Sequence, residues 1–154
     1  MTYIQNNKPE DECVFCFILQ QPDSPENLVV SRGEHAFVIL NRFPYTSGHM
    51  MVVPYAHYPS LELLDASTRA EIMELATKSI QVLQQAYCPE GFNLGINIGK
   101  VAGAGIAGHV HLHIVPRWGG DTNFMTSLGD TRVLPETLED TYERVKDAWE
   151  KLFT

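Results

Sequence analysis

Three histidines separated by single apolar residues, in the run His109-Val110-His111-Leu112-His113-Ile114-Val115-Pro116, constrain this chain more than any other feature. A period of two is that of a β-strand, whose alternate side chains leave opposite faces. The spacing predicts a strand over His109–Pro116, with Val110, Leu112 and Ile114 in a core and the imidazoles about 6.6 Å apart on the other face. A solvated polar face is the bland alternative. A row of imidazoles stabilises nothing apolar, however, so a whole sheet surface given over to them points to chemistry. His35, which stands alone, carries no such implication.

Two chemistries compete for the row. Two or three imidazoles can chelate zinc, or one neutral imidazole can attack an electrophile while its neighbours orient it and neutralise developing charge. The loop before the row, Gly99 to Gly108, is built of small residues that let backbone N–H groups approach a ligand closely, as an anion site requires. Within it Gly103-Ala104-Gly105-Ile106-Ala107-Gly108 matches G-x-G-x-x-G, but a dinucleotide fingerprint opens a helix and a strand follows here. Val101 stands where a Walker A loop needs Ser or Thr after the lysine. A phosphate-cradling loop beside imidazoles favours attack by histidine on phosphorus.

The remaining sequence supplies a framework for such a strand. Apolar, β-branched and aromatic residues fill Asn27–Ser31, His35–Leu40 and His49–Val53, with turn chemistry between them, which predicts antiparallel strands. Ile72, Leu75, Ala76, Ile80, Leu83 and Tyr87 recur at helical spacing behind a cap at Asp65 or Ser67, and Pro89 and Gly91 end that helix. Phe92–Ile98 alternates as a further strand, and Leu138, Tyr142, Val145, Trp149 and Leu152 stripe a closing helix after Pro135. The expected fold is α+β: an antiparallel sheet of about five strands with a long helix and a C-terminal helix packed on it. A polar tail over residues 1–12 would precede one domain over residues 13–154.

Charge and composition narrow the function. With 11 Lys and Arg against 19 Asp and Glu, a net charge of −8, the chain is unsuited to gripping duplex nucleic acid through phosphates. No run approaches the roughly 20 apolar residues of a membrane span, and the N-terminus has no apolar signal core, so a cytoplasmic location is expected. Cys13 and Cys16 form a C-x-x-C, which by itself reads as half a zinc site, a redox pair or coincidence, and Cys88 has no proposed function.

These residues together resemble the histidine triad (HIT) superfamily, whose signature His-φ-His-φ-His-φ-φ, with φ apolar, reads here His109-Val-His111-Leu-His113-Ile-Val. The likeness extends to Phe37 through Pro54, with Gly48-His49-Met-Met-Val-Val-Pro54 at its end, and to Gly91-Phe-Asn-Leu-Gly-Ile-Asn97-Ile-Gly99. The segment from Val115 to Phe124 is most similar to the branch of bacterial diadenosine tetraphosphate phosphorylases and hydrolases. The resemblance implies a small α+β enzyme, usually a homodimer, that cleaves dinucleoside polyphosphates or related adenylylated compounds through a nucleotidyl-histidine. It assigns the nucleophile to His111, one of whose nitrogens would donate to a backbone carbonyl. It also implies a phosphate or leaving-group contact for His113, an orienting role behind the triad for His49, α-phosphate support for Asn97 and ribose binding for Asn41.

Where family members commonly carry Gln or Ser with a hydroxyl partner before the triad, this chain has Gly103-Ala104-Gly105-Ile106. Backbone N–H groups of Gly103 and Gly105 are then expected to serve the phosphate, and the second acceptor, water or inorganic phosphate as co-substrate, stays open. Members that keep the C-x-x-C complete a zinc site with histidines at the positions of His57 and His109, so Cys13, Cys16, His57 and His109 are the expected ligands of a structural zinc. Two rivals remain: a hydrolase in which zinc activates water, and a nucleotide-binding scaffold with incidental phosphoramidase activity.

Overall fold

The computed structural model describes residues 12–122 and 136–154. The expected polar tail, apart from Glu12, and the end of the segment running to Phe124 lie outside the described residues. The elements in order are α1 (Val14–Leu19), β1 (Val29–Arg32), β2 (Ala36–Leu40), β3 (Met50–Pro54), α2 (Ala66–Tyr87), β4 (Gly91–Ile96), β5 (Leu112–Arg117) and α3 (Leu138–Phe153). The strands form one antiparallel sheet in the order β1-β2-β3-β5-β4. This is the α+β arrangement expected from the sequence.

The central strands β2 and β3 are buried along their whole length, which is why Ala36–Leu40 and Met50–Pro54 are unbroken apolar runs. β5 alternates, burying Leu112, Ile114 and Pro116 while His113, Val115 and Arg117 stay half-exposed. Helix α2 packs Ile72, Leu75, Ala76, Val82 and Leu83 into this core, and Asp65 caps it by accepting from Thr68 N–H at 2.8 Å. Helix α3 adds Tyr142, Val145, Ala148 and Trp149. Leu152, expected on its buried stripe, is exposed one turn from the chain end, and Ala148 takes the inward position instead.

Two departures matter for the site. Residues 14–19, not anticipated as a helix, form α1, which lies on the sheet through Phe15, edge-on to Phe37 at 6.5 Å. The strand expected over His109–Pro116 begins only at Leu112. The His109 N–H bonds the Ile106 carbonyl at 3.3 Å, and the Val110 N–H bonds the Tyr58 carbonyl at 2.8 Å, so neither enters the ladder. At the β1 edge of the sheet, the strand starts at Val29 rather than Asn27, because buried Asn27 uses its amide to bond Ser24 N, Pro22 O and Val29 N and holds Leu28 at φ 65°.

Candidate active site

Gly48 connects β2 to β3 at φ 85°, and a Cβ there would meet Leu83 Cδ2 at 2.8 Å. Only glycine allows this approach to α2, which seats the next residue, His49, in the interior at 1% exposure. The Tyr45 N–H donates to His49 Nδ1 at 3.2 Å, so a neutral His49 carries its proton on Nε2. That nitrogen lies 2.9 Å from His113 Nδ1 and donates to it. His113 in turn holds its own proton on Nε2. Burial, reinforced by His111 beside it, pushes the His113 imidazole down to about 4, so it is neutral at pH 7.

His111 follows the same logic at the end of β5. Its Nδ1 donates to the His109 carbonyl at 2.9 Å, which leaves the Nε2 lone pair free. Burial lowers its pKa and keeps the ring neutral. The His111 and His113 rings stand 4.8 Å apart at 65°, and both line a cavity of about 610 Å³. One end of that cavity is apolar, with Phe15, Ile18, Leu28 and Leu40; the other gathers Asn41, Asn97, Gly103, Gly105 and the two imidazoles. Among the described residues Arg42 is the one cationic side chain on its wall.

Asn97 donates to the Gly103 carbonyl at 3.5 Å, and Gly103 sits at φ 95°, the left-handed region that favours glycine. Asn41 spends its carbonyl oxygen on the Phe43 N–H at 2.8 Å, with its amide nitrogen 3.4 Å from His49 Nε2. His49 itself lies behind His113 rather than on the cavity wall. The structure therefore brings His111, His113, Asn41, Asn97, Gly103 and Gly105 to one cavity and separates His109 from them.

His109 turns into a second cluster. Its Nε2 donates to the Pro54 carbonyl at 2.7 Å, so Nδ1 presents a lone pair. That atom lies 3.2 Å from His57 Nδ1, 3.5 Å from Cys13 Sγ and 3.7 Å from Cys16 Sγ, and Cys16 Sγ is 3.4 Å from His57 Nδ1. All four ligand atoms lie within 4.8 Å of one another. A tetrahedron with bonds of about 2.3 Å to sulfur and about 2.05 Å to nitrogen has edges of roughly 3.3 to 3.8 Å. The cluster fits a zinc ion, for which Cys13, Cys16, His57 and His109 would supply all four ligands. Desolvation, then the neighbouring Cys13, raises the Cys16 thiol to about 11, so it ionises at neutral pH only opposite a cation.

Several contributors carry no sequence signal. Phe15, between the two cysteines, is 2% exposed and meets the His109 and His111 rings edge-on at 5.3 and 5.1 Å. The Tyr45 ring lies 4.7 Å from His49 and stacks on His113 at 6.4 Å. The carbonyls of Pro54 and Tyr58 belong to the same support, and no residue type marks a carbonyl in advance.

The family model of the HIT domain matches residues 21–120. The chain is similar to the AP-4-A phosphorylase of Mycobacterium tuberculosis, 44% identical over 131 residues that make up 85% of this chain and 67% of that one. A zinc-bound histidine triad family protein of Mycobacterium smegmatis is 27% identical, with a TM-score of 0.72 over 91% of this chain and 94% of its own. A hypothetical histidine triad nucleotide-binding protein of Sulfolobus tokodaii is 28% identical, with a TM-score of 0.73 over 91% and 93% of the two chains. A matched model over most of the chain, a triad split between a cavity and a Cys-His cluster, and a shared fold lead to one conclusion: this chain belongs to the HIT domain family.

Proposed function

We propose that this HIT-family enzyme cleaves a phosphoanhydride of diadenosine polyphosphates such as diadenosine tetraphosphate, or of a related adenylylated compound, through a nucleotidyl-His111 intermediate. The observation that carries the reading is the fixed tautomer of His111, whose Nε2 lone pair borders a cavity with one apolar and one polar end. The similarity to an AP-4-A phosphorylase supports the substrate class and favours inorganic phosphate over water as second acceptor.

In the first step the His111 Nε2 lone pair forms a bond to the α-phosphorus, and the anhydride P–O bond breaks to release ATP. The Nε2–H of neutral His113 donates a hydrogen bond to the phosphate or the departing oxygen. Asn97 and the N–H groups around Gly103 and Gly105 support the α-phosphate, Asn41 the ribose, and His49 holds the His113 tautomer. In the second step phosphate oxygen replaces nitrogen on phosphorus to give ADP; water in the same place gives AMP. The Cys-His cluster already provides four protein ligands, leaving no open position at which a bound zinc would activate water, and this supports a structural role for the metal.

A cytoplasmic setting suits free Cys13, Cys16 and Cys88, and no described helix is long and apolar enough to cross a membrane. We also propose a homodimer, supported by the edge strand β4, whose Leu94 and neighbouring Ile98 and Val101 are exposed. Incubation with diadenosine tetraphosphate, with and without phosphate, tests the chemistry. ADP with ATP marks phosphorolysis and AMP with ATP marks hydrolysis. In His111→Ala the adenylylated protein should vanish while metal content and fold persist; turnover retained by that variant overturns the assignment.

A further inference from the structure

The proposed nucleophile stands one residue outside the sheet. Leu112, the first ladder residue, pairs with Val52 and Ile96 and anchors His111 on its C-terminal side, while on the N-terminal side its backbone neighbourhood is set by the Cys-His cluster and the segment that carries His57. The Val110 N–H bonds the carbonyl of Tyr58, the residue after His57. The carbonyl that sets the His111 tautomer belongs to His109, whose ring faces both thiols and His57. Phe15 closes the circuit from the other side: it stands on α1 between Cys13 and Cys16 and wedges against both imidazoles.

We propose that Phe15 is a positioning residue for the nucleophile, coupling the metal centre to the orientation of the His111 ring. The inference rests on the reading of His111 as nucleophile and of the Cys-His cluster as a metal site, and adds that the two are one mechanical unit. The thiols fix α1, α1 fixes Phe15, and Phe15 with the His109 carbonyl fixes the ring from two directions. Phe15 also lines the cavity, so a positioning role must be separated from a binding role.

The test compares Phe15→Leu and Phe15→Ala with the wild-type chain, each carrying zinc and then cadmium, whose longer bonds shift the ligands without removing the ion. The rate of nucleotidyl-protein formation at saturating dinucleotide should fall by about 10- to 100-fold in Phe15→Ala, and less in Phe15→Leu, as expected when an attacking atom is misplaced. Metal stoichiometry should stay unchanged, and KM should move much less than the rate. In ¹⁵N-histidine NMR the His111 Nδ1–H signal should shift between the zinc and cadmium forms of the wild type, and broaden in Phe15→Ala. A variant that forms the adduct at the wild-type rate, or whose loss is recovered by more nucleotide, overturns the proposal. So does a His111 signal indifferent to the metal. If Phe15→Ala does not fold, Phe15→Leu and the metal exchange decide. Absence of any adduct in the wild type would instead overturn the nucleophile reading, and the NMR comparison would still report on the coupling.

Discussion

At the scale of single residues, the site depends on keeping imidazoles neutral. An unfolded chain protonates His113 at the ordinary value of 6.5, whereas the folded chain does so only at about 4. Between those values the unfolded state holds the extra proton, so stability falls as pH drops through that window, by up to about 1.4 kcal/mol per pH unit for this group. Denaturant unfolding at intervals from pH 7.5 to 4.5 should show a slope of that sign, to which His109 and His111, also lowered by burial, add, and His113→Asn should reduce it. Leaving-group chemistry makes a second prediction at this scale. Ala104, Gly105 and Ile106 offer no side-chain acid where family members commonly have a polar one. A departing nucleoside triphosphate tolerates that, because the terminal phosphate has a second pKa near 6, but an amine does not. Adenosine 5′-phosphoramidate should therefore turn over at least about 100-fold more slowly than diadenosine tetraphosphate. The residues named here were legible because alternation and spacing mark His111, His113 and Cys13 to Cys16 directly. Phe15 and Tyr45 were not, since an aromatic in an apolar run looks the same whether it fills a core or props an imidazole.

At the scale of elements, α2 was readable because its 22 positions repeat an apolar face, and the structure chooses Asp65 over Ser67 as its cap. α1 was not, because Val14-Phe15-Cys16-Phe17-Ile18-Leu19 is under two turns and nearly all apolar, so it has no period to detect. A helix that short is stable only through what it touches. Chelation of a zinc-loaded sample, or His57→Ala, should raise hydrogen exchange over residues 13–20 and 109–111 while the core of α2 stays protected. The strand boundary at Leu112 escaped the alternation pattern for a related reason: the spacing of His109 to His111 continues that of the strand, but the His109 and Val110 N–H groups bond the Ile106 and Tyr58 carbonyls and the His109 carbonyl accepts from the His111 ring, none of which is a ladder bond. Asn27 shows the reverse case, a side chain doing the work of backbone pairing at the start of β1. Asn27→Ala should cost about 2 kcal/mol in denaturant unfolding, because it strips three hydrogen bonds from a fully buried site.

At the scale of the whole molecule, a net charge of −8 surrounds a cavity with a single cationic wall residue among those described, Arg42. If the substrate is the proposed polyanionic dinucleotide, its capture would rely on N–H groups and neutral imidazoles rather than on steering by Lys and Arg. Raising ionic strength from about 20 to about 200 mM should therefore leave KM unchanged or lower it, since added salt screens repulsion; a steep rise would reveal an unrecognised cationic site. Sedimentation should give a mass near twice 17.3 kDa for the proposed homodimer, and Leu94→Lys on β4 should shift it toward one chain. The Cys-His cluster has one more consequence, which concerns time. Val29 and Ile39, partners across β1 and β2, are near in sequence, whereas Cys16 and His109 meet across 93 residues. Loop-closure entropy makes the hairpin form early and the cluster late. On the proposed reading of His111 and the Cys-His cluster, a newly made chain thus forms its β1–β2 hairpin well before its nucleophile is set, and enzymatic competence would arrive as a maturation step, timed by metal uptake and not by folding alone.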